Sequence, residues 1–245
     1  MSRYADRTDD DTIRQRSGWL IPLGVFLVTA ILTALILLFY IIPSPPSLFE
    51  EQVNPTSRTD IIQLKVHGHS FYIPANYLQY KSARQGGEKK EIALFAMLPD
   101  MDGYSSWEAG TFASNATDSP IVYLLIDDEP VNLTEADRLQ RIYMAYVANP
   151  KGTQGPFGLT QFTFHDDTGY RREDLFVGTT ESGPVVLRCV RFSQEVPSPS
   201  CLREMPIAHG VKLSYRFKRA QLARWREISD GVSHLIQTFQ KAPAK

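Results

Sequence analysis

From residue 59 onward the chain alternates short apolar runs with turn residues, a rhythm of strands more than of helices. "DIIQLKV" and "HSFYIP" are split by His67-Gly68 and read as a hairpin. "EIALFAML" (91–98) and "PIVYLLID" (120–127) are more continuously apolar, so they are expected deeper in a sheet. "GLTQFTF", "REDLFVGTT" and "PVVLRCVRF" follow, separated by turns at 166–169 and 181–183, as in an antiparallel meander. The clearest strand is "VKLSYRFK", where Val211, Leu213, Tyr215 and Phe217 alternate with Lys212, Ser214, Arg216 and Lys218. A period of two sends the apolar set to the core and the basic set to water. Two helices interrupt the strands. One opens at Thr134, a capping residue with Asp137 three positions on, and runs to about residue 148. The other spans 221–239, with Leu222, Trp225, Ile228, Val232, Leu235 and Phe239 on one face. The 99–119 stretch reads as a long, weakly protected loop with Tyr104, Trp107 and Phe112 as its apolar residues.

One stretch breaks this rhythm. Residues 19–42, "WLIPLGVFLVTAILTALILLFYII", contain no charge. At ~1.5 Å per residue a helix of that length spans about 36 Å, more than a ~30 Å hydrocarbon core. The run is too long for a signal-peptide core, and "FYIIPSPP" offers no small-residue cleavage site. It reads as a retained single-pass signal-anchor in the inner (plasma) membrane. Arg3, Arg7, Arg14 and Arg16 precede the span, and no Lys or Arg follows until Arg58, which places the N-terminus in the cytoplasm. The expected organisation is a cytoplasmic tail (1–17), a transmembrane helix (18–42), a Pro-rich linker (43–58) and a periplasmic or extracellular domain (59–245). The fold class is α+β: a mostly antiparallel sheet with about two packed helices.

The compartment decides how the two cysteines are read. Cys189 and Cys201 are the only ones in the chain and flank a Pro/Ser-rich bend. Outside the cytoplasm, closing a loop of about a dozen residues, they are expected to form a disulfide. The spacing is not that of a C-x-x-C redox pair, and only His209 is near enough in sequence to suggest zinc.

Composition narrows function mainly by exclusion. A net charge of −1 argues against nucleic acid as a partner. No G-x-S-x-G, S-x-x-K or H-E-x-x-H occurs. "DMDG" (100–103) stops short of a calcium loop, and Gly86-Gly87 lack the strand-to-helix setting of a phosphate loop. His67 and His69 could share a strand face and chelate a metal with His165 or Asp166, but Gly68 between them favours a turn instead. No cofactor and no metal is expected, with these four residues as the weak metal candidates. Sequons begin at Asn115 and Asn132 and matter only in a eukaryotic host.

Charge is unevenly placed. Residues 88–137 carry net −9 and residues 201–245 net +6. The two segments either attract each other within one fold, or present one pole to a partner or to anionic lipid. The expected role is therefore a non-enzymatic accessory or protein-interaction domain of the cell envelope. Its partners would be the bilayer, through the helix, and an envelope protein, with Trp107 as a candidate contact. Two alternatives stand beside it: a toxin-neutralising immunity or inhibitor protein, and a metal-dependent hydrolase using the His67/His69 region.

Overall fold

A computed structural model describes residues 18–41, 51–129, 133–180 and 183–243. The proposed cytoplasmic tail with its four arginines, most of the Pro-rich linker, Asn132 and the 181–182 part of a turn lie outside the described residues. The chain divides into two units, Met1–Glu51 and Gln52–Lys245. In the first, α1 (Leu20–Ile41) is one 22-residue helix. Its segment Ile21–Leu38 has mean hydropathy 2.6 and none of it is buried, which suits a membrane anchor or a signal sequence.

The second unit is mixed α+β, built on a large antiparallel sheet. Its strands are β1 (Ile61–Val66), β2 (His69–Pro74), β3 (Gly87–Glu88), β4 (Glu91–Met97) and β5 (Ile121–Asp128), with the short helix α2 (Ala109–Ala113) between β4 and β5. After α3 (Glu135–Arg141) come β6 (Thr153–Gln154), β7 (Thr160–Thr163), β8 (Glu173–Thr180), β9 (Gly183–Val190), β10 (Ser200–Ala208) and β11 (Val211–Lys218), then α4 (Trp225–Phe239). Eight strands form one sheet in the order β4-β5-β11-β10-β9-β8-β7-β6; β1, β2 and β3 form a separate small sheet.

Local chemistry accounts for most elements. His67 (φ 48°) and Gly68 (φ 77°) are both at positive φ, the two-residue hairpin turn that matches strand twist. Thr134 caps α3 by accepting from the Asp137 backbone N–H at 3.1 Å, and its hydroxyl donates to the Asp137 carboxylate at 2.7 Å. That bond, ahead of the nearby Arg141, holds the Asp137 carboxyl below its usual range. Gly86 leads into β3, whose first residue is Gly87 and which pairs in parallel with β1. The last helix begins later than its apolar periodicity suggests, because residues 219–224 form a 3-10 segment before α4.

One face of the large sheet packs on α4, with Leu124, Ile126, Leu213, Tyr215 and Phe217 meeting Trp225, Ile228, Val232 and Phe239 in a single core. Burying a large apolar side chain stabilises by about 1.5–3 kcal/mol, so this layer dominates the fold's stability. The close approach is tightest at Gly178, where a Cβ would stand 2.4 Å from the Trp225 ring.

Candidate functional site

The other face of the sheet is only partly covered. Over β7, β8 and β9, α3 and the turn after it lay Leu139 and Tyr143 on Phe162, Leu175 and Val186. At the far end, Phe112 of α2 packs with Phe95 and Ile121. The 99–119 loop is therefore anchored by its own small cluster, while Trp107 on it is 94% exposed. Between the two covers the sheet is bare among the described residues. There β4, β5, β11 and β10 floor an open groove of about 410 Å³ that includes Ala93, Tyr123, Leu125, Leu202 and Ser214. Strand alternation aims these residues outward, because their neighbours Leu124, Tyr215 and Phe217 belong to the core. Burial against the sheet raises the Tyr123 hydroxyl above its usual pKa although the ring is 38% exposed.

Charge differs between the ends of this face. At one end acids and bases compensate: Lys212 Nζ lies 2.9 Å from Glu129 and 3.4 Å from Asp127, and Arg188 lies 3.1 Å from Glu173. Glu204 sits among Arg138, Arg188 and Lys212 at 3.6–3.9 Å. The acidic and basic segments thus do attract each other within one fold. At the other end they do not meet. Arg216 stands exposed opposite Tyr123, and Lys218, although on the polar side of its strand, is buried. Its ammonium donates to the Asn115 side chain and to the Ser198 carbonyl, both neutral. Burial first, and Arg216 second, lower the Lys218 pKa. Among the described residues neither cation has a carboxylate partner.

Beside the groove the sheet splits. β9 and β10 pair only at Cys189–Cys201 and Arg188–Leu202, then diverge. Glu135, in the first turn of α3, fills the gap: its carboxylate accepts from the Val186 N–H at 3.1 Å and from two nitrogens of Arg203 at 2.8 and 2.6 Å. Arg203 also donates to Ser229 (2.6 Å) and Tyr215 (3.2 Å). Its side chain is 6% exposed and that of Glu135 is 11%. The carboxylate holds the guanidinium pKa above its ordinary value, against the opposing effect of burial. The pair ties α3 to β9 and β10.

Sequence reasoning missed this pair, and it missed β10. Arg203 and Glu204 interrupt any apolar alternation there, and the one local signal is the turn at His209-Gly210 (φ 73°) that leads into β11. It also assigned Lys218 to water. The candidate metal residues are not brought together. His67 Nδ1 lies 3.0 Å from Asp128, the His69 ring nitrogen Nε2 lies 3.1 Å from the His209 carbonyl, and the His67 and His209 rings are 6.2 Å apart. His165 and Asp166 lie instead in the turn after β7, where the His165 N–H donates to the Tyr146 carbonyl. No group of three or more His, Cys, Asp or Glu among the described residues is placed to hold a metal. "DMDG" forms a tight turn in which Met97 and Asp102 exchange backbone bonds. Cys189 and Cys201 are cross-strand neighbours at disulfide distance, with S–S 1.98 Å and Cα–Cα 3.9 Å.

No protein-family model and no curated protein matches the chain. Among solved structures, an immunity protein of the Stenotrophomonas maltophilia type IV secretion system is similar, with TM-score 0.52 and 16% identity, over 79% of this chain and 98% of that one. At that identity the likeness is one of fold.

Proposed function

We propose that the chain is a membrane-anchored, non-enzymatic immunity protein: α1 holds residues 52–245 on the extracytoplasmic side of the inner membrane, where the domain binds and neutralises a protein toxin. The observation that carries this reading is the bare sheet face, with its apolar floor, half-exposed Tyr123 and two cations lacking a carboxylate among the described residues. Aromatic residues and arginine in a desolvated recess are the usual anchors of protein interfaces. Likeness of fold to a secretion-system immunity protein over nearly its whole length supports the same reading. The arginines before the span support the orientation.

The test is functional. Full-length chain in mild detergent captures extracytoplasmic proteins from the cell that encodes it, and each captured protein is expressed in the envelope alone and with the chain. One of them should arrest growth alone and not in company, and Tyr123→Asp should abolish the protection. If the captured proteins are harmless in every compartment, the immunity reading fails.

A further inference from the structure

We propose that the Arg216–Lys218 end of the groove receives an acidic side chain of the partner protein, on a segment whose neighbouring apolar residue seats on Tyr123 and Leu202. This deepens the immunity reading and rests on it.

Charge at this end of the groove is uncompensated among the described residues. β10 and β11 carry four cations that bear on the matter: Arg203, Lys212, Arg216 and Lys218. Arg203 is satisfied by Glu135, and Lys212 by Asp127 and Glu129. Arg219, the next cation along, has Asp174 at 2.7 Å. Arg216 and Lys218 are left. They stand two positions apart on one strand, so their side chains share a face, and the repulsion between them is one cause of the lowered Lys218 pKa. Lys218 is only 7% exposed, and among the described residues its ammonium meets neutral oxygens alone. A charge so placed has lost hydration without gaining a countercharge, an arrangement that an incoming carboxylate relieves.

The surroundings select the kind of anion. The groove floor beside the two cations is apolar and includes Tyr123, Leu125, Leu202 and Ala93; Lys212 and Arg188, elsewhere on this face, already have Glu129 and Glu173 as partners. A small hydrated anion would leave that floor wet. An acidic residue flanked by an apolar one fills both parts at once, and arginine suits a carboxylate because its planar donors match the two oxygens. Charge complementarity therefore favours an acidic protein segment as occupant.

Fluorescence anisotropy with full-length chain in nonionic detergent tests this. The probes are capped hexapeptides of alternating glutamate and leucine, or of glutamine and leucine. The glutamate peptide should bind saturably, about tenfold tighter than the glutamine one, with affinity falling as salt rises. Arg216→Gln, at an exposed position, should erase most of that difference, as should Lys218→Met if its melting temperature shows that it folds. Equal affinity for both peptides, binding of neither, or a glutamate preference that survives Arg216→Gln would overturn the proposal. So would Arg216-dependent binding of soluble short-chain phosphatidylglycerol in place of the peptide, which would make the occupant a lipid headgroup. The two readings fail separately. A captured toxin whose neutralisation needs Tyr123 but ignores Arg216→Glu leaves immunity standing and removes the anion site. An Arg216-dependent glutamate preference with no toxin captured does the reverse.

Discussion

Glu135 offers the sharpest test of how α3 is tied to the sheet. Its carboxylate does two jobs in a nearly dry gap: it neutralises Arg203 and accepts from the Val186 N–H. Glu135→Ala removes both, leaving a 6%-exposed guanidinium with only hydroxyl partners, and a strand N–H without an acceptor. Breaking a buried ion pair on one side costs about 3–5 kcal/mol. In a chain of this size each kcal/mol shifts the melting temperature by about 2–4 °C, so a fall of roughly 10 °C is expected. Glu135→Gln keeps an acceptor for Val186 and loses only the charge, at a cost of about 1.5–3 kcal/mol. The double variant Glu135→Leu/Arg203→Met removes both charges and should recover much of the loss, since the desolvation penalty goes with them. Urea unfolding of full-length protein in nonionic detergent, followed by fluorescence of the buried Trp225, gives the order: wild type above Gln above Ala, with the double variant above Ala. A Glu135→Ala variant within about 0.5 kcal/mol of wild type would refute the reasoning, because Arg203 would then be solvated or otherwise paired.

Four further outcomes are expected. Cys201→Ser should lose about 2–4 kcal/mol, read as a melting temperature below wild type under non-reducing conditions only; a wild type whose melting is unchanged by reductant would contradict it. Trp107→Ala should leave the melting temperature almost unchanged, since the ring is 94% exposed, and a large fall would show it packed. Burial, chiefly, pushes the Tyr143 hydroxyl up to about 12 from its ordinary 10.0. A raised folded value contributes stability that is whole below pH 10 and is lost as pH rises through 12, so denaturant midpoints should fall across that window and Tyr143→Phe should flatten the decline. Protease added to spheroplasts should digest residues 52–245, and protection would reverse the orientation.

The sequence disclosed those parts of the fold that rest on local chemistry. Val211–Lys218 was legible because its alternation is unbroken, and the His67-Gly68 turn because few other residue pairs accept positive φ twice in succession. β10 was not, since Arg203 occupies a core-facing position that is tolerable only with Glu135, 68 residues earlier in the chain. The candidate site was illegible for a related reason. It exists where cover is missing: α3 stops at Arg141, α2 covers only the far end, and the strands flooring the gap are drawn from residues 91–128 and 200–218. Nothing local marks Tyr123 or Lys218 as different from any other alternating strand residue. What the sequence did offer was the charge imbalance, and the structure divides it into a compensated part around Lys212 and an uncompensated part at Arg216 and Lys218.

The central claim is that the bare sheet face seats a toxin, and site-specific photo-crosslinking in the native membrane tests it most directly. A benzophenone side chain replaces Tyr123 in one strain and the exposed Phe192, which does not line the groove, in another. The account predicts a covalent adduct from position 123 to one extracytoplasmic protein that is toxic in the absence of the chain, and none from position 192. Adducts to that toxin from position 192 with none from position 123 would contradict it.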